Sequence, residues 1–153
     1  MKATSEFKVN QSAPSLINVC IDQVQQGEIQ GRIYHYYQKE AVPFSTVVEM
    51  LRQGEKLFDF IAFPQASTKT RSLIEKEVSA RGAVMVRPEK QVAPETIMAN
   101  KGELGTFIIN VKFRQNAEWQ GEAFWVEEDE KMFFSNTLEL IKKIDKALQK
   151  IKK

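Results

Sequence analysis
Apolar residues recur at every second position at Ile17, Val19 and Ile21, and again at Phe107, Ile109 and Val111, the period of a strand that buries one face. Each run leads into a polar turn, QQG in the first case and QNA in the second, and then into a stretch carrying Gln-Gly at 30–31 and 120–121. A charged break follows, QKE or EEDE, and a short apolar piece, AVPF or KMFF, reads as a third strand. The period then changes to that of a helix. Thr46-Val-Val-Glu49 fits a capping box and Asn136-Thr-Leu-Glu139 is its Asn-started relative, so each predicts a helix start. An apolar stripe runs through Leu138, Ile141, Ile144, Leu148 and Ile151, and its counterpart through Val48, Leu51, Gly54, Phe58 and Ile61. Gly54 interrupts that stripe, either to let another backbone approach or to end the helix early; one continuous helix is expected.

The two series are one pattern displaced by 90 residues. Without a gap, residues 16–61 superimpose on 106–151, with identities at Gln25/Gln115, Glu28/Glu118, Gln30/Gln120, Gly31/Gly121, Glu40/Glu130, Phe44/Phe134, Ser45/Ser135, Glu49/Glu139, Lys56/Lys146 and Ile61/Ile151. The expected fold class is α+β: two tandem βββα repeats, an antiparallel sheet with the helices on one face, and a helical connector. The segments are a flexible tail at 1–15, a first repeat at 16–61, the connector at 62–105 and a second repeat at 106–153, the repeats forming one compact domain. In the connector a helix is expected from Thr68 to about Ala80, stopped by Gly82, followed by a short strand in AVMVRP. Gln65 to Arg71 offers hydroxyls and cations to a phosphate, but no glycine-rich loop accompanies them, so a surface cap is the reading adopted.

Parity divides the second strands into two faces. Trp119 and Trp125 align with Ile29 and His35 on the face given to the helices, which makes the tryptophans core residues; Gly31 and Gly121 lie between them, where a missing side chain would admit a helix or a large ring. The opposite parity carries Gln30, Arg32, Tyr34 and Tyr36 in one copy and Gln120, Glu122, Phe124 and Val126 in the other, with Lys112 and Arg114 beside them. That surface is too apolar for a solvated sheet face. Either the connector or a second protomer covers it, or it is a recognition surface.

Composition narrows the chemistry. With 42% hydrophobic and 27% charged residues and no long apolar run, the chain reads as a soluble, cytoplasmic domain without a membrane span. A net charge of +2 makes no global case for nucleic acid, so any electrostatic case is local: Lys142, Lys143, Lys146, Lys150 and Lys153 form a basic ridge on the last helix. The single histidine, His35, excludes a two-histidine metal site, and parity sets Cys20 on the other face from it, so no Cys/His nucleophile pair is expected. Glu127, Glu128, Asp129 and Glu130 read as a solubilising turn tip. No metal, cofactor or catalytic residue is expected, and the chain reads as a non-enzyme.

The segments "GRIYHYYQKEAVPFSTVVEMLRQGEKLFDFIAFPQASTKTRS" and "TFIINVKFRQNAEWQGEAFWVEEDEKMFFSNTLELIKKIDKAL" resemble those of a family of small uncharacterised bacterial proteins, a resemblance that implies no activity. The order of three strands and a capped helix is also similar to the three-stranded-sheet-plus-helix DNA-binding domains of the integrase-arm type. Lys112 and Arg114 match the basic character of their reading strands, whereas Glu118, Glu122 and the acidic turn depart from it. Two functions follow as expectations. One is a non-catalytic adaptor that binds a protein partner, or itself, through the outer sheet face at Arg32, Tyr34, Tyr36, Lys112, Arg114, Phe124 and Val126. The other is a nucleic-acid binder that uses this face and the lysine ridge.

Overall fold
In the computed structural model, which describes residues 13–63, 88–115 and 118–152, the strands of both segments join one sheet. The strands are β1 (Ile17–Gln25), β2 (Glu28–His35), β3 (Gln38–Phe44), β4 (Gly105–Gln115), β5 (Glu118–Trp125) and β6 (Glu130–Phe134), and the helices are α1 (Val47–Ile61), α2 (Pro94–Met98) and α3 (Thr137–Lys152). The class is α+β, with a six-stranded antiparallel sheet in the order β3-β2-β1-β4-β5-β6. The expected helix from Thr68 to Ala80, the strand at 83–87, the Gln65–Arg71 stretch, the residues of the QNA turn at 116–117, the first 12 residues and Lys153 lie outside the described residues.

The central position of β1 and β4 follows from their composition. Between Ile17 and Ile21, and between Gly105 and Val111, every residue is buried whichever way it points, as expected of strands covered on both faces. They pair through Ile17/Ile109, Asn18/Ile108 and Val19/Phe107. The β1–β2 turn places Gln26 and Gly27 at φ 52° and 80°, the left-handed pair that a two-residue hairpin needs. Each hairpin also carries a bulge, between Ile21 and Gln23 in β1 and between Val111 and Phe113 in β4.

Both long helices start as their caps predict. Thr46 Oγ1 accepts from the Glu49 N–H at 3.0 Å and Asn136 Oδ1 from the Glu139 N–H at 2.8 Å, while each glutamate reaches back to the N–H of Ser45 or Ser135. A further donor of each first turn is satisfied from the sheet: the Val47 N–H meets Glu28 at 3.0 Å and the Thr137 N–H meets Glu118 at 2.9 Å. α1 runs unbroken through Gly54 and closes on Ala62 in the left-handed region, φ 56°.

The buried stripes differ from those expected at their first member. Met50, Gly54, Leu57, Phe58 and Ile61 are buried on α1 and Leu140, Ile144, Ala147 and Leu148 on α3, whereas Val48 and Leu138 are exposed. Positions six apart, such as 48 and 54, lie about 120° from each other around a helix, while 50 and 54 share a face. Gly54 is needed because the Trp119 indole rests on it: a Cβ there would stand 2.6 Å from Cη2. Phe58 meets the same indole edge-on, with centroids 5.2 Å apart.

The glycines at 31 and 121 have a different cause from the one expected. A Cβ would strike the Cys20 carbonyl oxygen at 1.9 Å and the Asn110 carbonyl oxygen at 2.1 Å, so it is the neighbouring strand's backbone that requires them. α1 and α3 share one face of the sheet, but the connector does not: Asn18, on the other face, donates to the carbonyls of Ile97 and Asn100 at 2.8 and 3.0 Å. Residues 88–104, with α2, therefore cover the outer side of β1 and β2.

Candidate interaction face
The bulge in β4 decides which residues the outer face presents. Strict alternation from Val111 puts Arg114 outward with Lys112; the inserted residue inverts the order, so Phe113 turns outward beside Gln120 and Arg114 turns inward beside Trp119. Arg114 is a cross-link. Its side chain is 3% exposed, and Nη1 lies 2.9 Å from Glu55 and 2.7 Å from Asp59 on α1. The Trp119 indole N–H donates to the same Glu55, which completes a polar cluster between α1 and the β4–β5 hairpin.

Other sequence candidates are also withdrawn from the outer surface. Tyr36 follows the end of β2, is fully buried, and its carbonyl accepts from the Gln91 and Val92 N–H groups of the connector. Burial pushes its phenol up to about 12. Phe124 is buried, Val126 opens a 3-10 turn at Val126–Glu128, and Tyr34 is half-buried. Arg32 is held by Asp22 through 2.8 and 2.9 Å contacts, donates to the Lys101 carbonyl and lies over the Tyr34 ring. The Arg32 hydrogen bonds hold the Asp22 carboxyl below its usual range.

The outward surface that remains open is on β4, β5 and β6. Phe113 and Phe133 are 66% and 63% exposed and, with Lys112, Gln120 and Glu122, line an open groove of about 420 Å³. Beside it Lys112 Nζ and Lys131 Nζ flank the Glu122 carboxylate at 2.7 and 3.0 Å. Burial would raise the Glu122 carboxyl, but hydrogen bonds from the two lysines outweigh it and hold the group below the usual range. At the positions 90 residues earlier the ion pair is reversed, Asp22 and Arg32 standing where β4 and β5 have Lys112 and Glu122. Phe113 and Phe133 were missed by sequence reasoning, Phe113 because of the bulge and Phe133 because it was read only as part of KMFF.

The lysine ridge is partly engaged within α3. Lys143 lies 3.8 Å from Glu139 and Lys150 sits over the Trp125 ring at 5.7 Å, while Lys142 and Lys146 are exposed. Trp119 and Trp125 are both buried.

On the helix side, a groove of about 320 Å³ between α1 and β2–β3 has His35 in its lining. Nδ1 of His35 accepts from the Tyr37 N–H at 3.0 Å, and burial pushes the imidazole down to about 4. Cys20 lies on the opposite sheet face, fully buried, with its thiol pushed up to about 12 by burial. Among the described residues no group of three or more His, Cys, Asp or Glu side chains is placed to hold a metal, and no helix is long and apolar enough to cross a membrane. The chain matches no family model, no curated protein and no solved structure.

Proposed function
We propose that this chain is a non-catalytic interaction module whose protein partner binds the outer face of β4–β6. The observation that carries the reading is the pair of exposed aromatics, Phe113 and Phe133, around a carboxylate whose charge is already matched by Lys112 and Lys131. Aromatic anchors beside a charge-matched ion pair suit a protein interface, because they supply apolar area without an unpaired charge to desolvate. The same network weakens the nucleic-acid alternative: Lys112 and Lys131 face Glu122, Arg32 faces Asp22, and Arg114 lies on the helix side.

The test compares capture from native extract, with and without nuclease, by wild type, by Phe113→Ser/Phe133→Ser and by the helix-side control Val48→Ser/Phe60→Ser. A nuclease-resistant partner kept by the control and lost by the outer-face variant supports the reading. Equal capture by all three, or capture only through nucleic acid, sinks it. Sedimentation of the purified chain separates self-association from a heterologous partner.

We also infer that the fold is a duplicated βββα unit. In support, the bulges, the capping contacts, the Glu28/Glu118 contacts and the glycines at 31 and 121 all recur at the 90-residue displacement. Equivalent surroundings mean that Gly31→Ala and Gly121→Ala each destabilise by several kcal/mol in urea unfolding, since a backbone carbonyl cannot give way. A tolerated alanine at either position would count against the equivalence.

A further inference from the structure
The groove between α1 and β2–β3 is walled by Ile33, Val42, Leu57 and Phe60, and His35 and Lys56 bring a donor and a charge to it. His35 ends β2, and the tight turn into β3 returns the Tyr37 N–H to its ring, where Nδ1 accepts at 3.0 Å. Because Nδ1 is the acceptor, the proton of the neutral imidazole is on Nε2. That N–H is a donor without an acceptor. His35 is 8% exposed, and no side chain or backbone carbonyl among the described residues meets Nε2. The ring is not sealed in, since it forms part of the groove lining, and a buried donor is costly to leave unmade.

Lys56 supplies the charge. It is exposed, it is the one charged side chain of the lining, and it is in no ion pair among the described residues. The acidic residues of α1 closest to it in sequence, Glu55 and Asp59, are bonded to Arg114 instead. An unmatched cation and an unmatched N–H donor, in a lining that holds no carboxylate, specify an anion that accepts hydrogen bonds.

The aliphatic walls specify an apolar body for that anion, and the second half of the chain shows its kind. At the positions 90 residues on, Trp125 stands where β2 has His35, and Lys150, at the helix position of Phe60, lies over its ring at 5.7 Å. There the chain itself supplies both the aromatic ring and the cation, and Trp125 is buried. On β2 the ring is the smaller imidazole, and a groove of about 320 Å³ remains, within the size range of small-molecule sites.

We propose that this groove binds a small aromatic carboxylate, its ring against Ile33, Val42 and Leu57 beside Phe60, and its carboxylate accepting from His35 Nε2–H with Lys56 as the counter-ion. The site lies on the helix side of the sheet, across from the outer face of β4–β6, so it stands independently of the function proposed above.

The test is a titration of the full chain with phenylacetate followed by nuclear magnetic resonance, in which the single histidine gives one unambiguous set of imidazole signals. A probe of about ten non-hydrogen atoms should bind with Kd on the order of 1–10 mM. Saturable movement of the His35 Nε2 resonance and of the Val42 and Leu57 methyls is expected, while the Ile108 methyl, on the other sheet face, stays in place. Phenylethylamine, of similar size and opposite charge, should move none of them. Lys56→Gln, a change at an exposed position, should weaken phenylacetate at least about threefold without disturbing the fold. His35 signals that do not move below about 50 mM phenylacetate, an equal response to phenylethylamine, or the same Kd for Lys56→Gln and wild type overturns the proposal.

Discussion

Gly54→Ala should destabilise this protein, against the usual sign for a helix interior. Replacing a mid-helix glycine by alanine ordinarily gains about 1 kcal/mol. Here the new methyl would stand 2.6 and 2.9 Å from Trp119 Cη2 and Cζ2, roughly 1 Å inside normal carbon contact. The ring has little room to retreat, because its N–H is bonded to Glu55 and Phe58 packs against it edge-on. Overpacking of this kind costs about 1–3 kcal/mol, and with the ring held on two sides the upper part of that range applies, so after the helical gain the net loss is up to about 2 kcal/mol. The cleaner measurement is a double-mutant cycle by urea unfolding, with Trp125 fluorescence as the probe. In a Trp119→Leu background the obstructing ring is absent, and Gly54→Ala should stabilise by about 1 kcal/mol, giving a coupling of about 1–3 kcal/mol between the sites. If Gly54→Ala stabilises the wild type by the full helical amount and the coupling is near zero, the reasoning about the indole is wrong.

Three further perturbations test other parts of the fold. His35 has its imidazole depressed from 6.5 to about 4 and is 8% exposed, so its stabilisation is complete above pH 6.5 and lost as pH falls towards 4, at most about 3 kcal/mol. Urea midpoints at pH 7 and 4.5 should fall further for wild type than for His35→Gln; identical pH dependence would refute the assignment. Cys20, with its thiol raised from 9.0 to about 12, should react with a maleimide at pH 8 about a thousandfold more slowly in the native protein than after denaturation, and rapid native labelling would show that the site opens. Arg114→Ala should cost about 1–2 kcal/mol, since it removes the cation shared by Glu55 and Asp59, although the Trp119 N–H still donates to Glu55 and Asp59, 70% exposed, rehydrates; a loss below about 0.5 kcal/mol would mean that the cluster is not a structural cross-link.

The elements were legible because their signals are local. The capping boxes at Thr46 and Asn136 mark both helix starts, and apolar residues at every second position mark β1 and β4. What was not legible is the parity beyond Val111. A bulge costs nothing in composition, and Phe113 is apolar at the position where continued alternation would bury it. The first hairpin did carry a sign of the slip: after Ile17, Val19 and Ile21 the next apolar residue is Val24, one place out of phase, and Val24 pairs with Ile29. That slip, transferred by 90 residues, would have turned Arg114 inward and Phe113 outward before any coordinates. That the connector covers an outer sheet face was among the expectations; which hairpin it covers was not legible, since that depends on Asn18 capturing two carbonyls about 80 residues away in sequence.

The two hairpins are matched in backbone and divergent in the side chains they present. Bulges, caps and glycines answer to the sheet's own geometry, where a Cβ at 31 or 121 meets a carbonyl oxygen, so neither position admits a side chain. Side chains on the outer face answer to whatever lies on them. Where residues 88–104 lie, the face holds Asn18, Asp22 and Arg32, each bonded to connector backbone. On the other hairpin the corresponding residues are Ile108, Lys112 and Glu122; the two charges are spent on each other and the aromatics Phe113 and Phe133 surround them. A polar face is stable beneath a backbone that offers carbonyls and N–H groups, and an apolar face is stable beneath side chains. The difference between the halves therefore follows what each face meets: backbone carbonyls and N–H groups of residues 88–104 on β1–β2, and on β4–β6 a surface suited to apolar side chains rather than to a hydrogen-bonded strap.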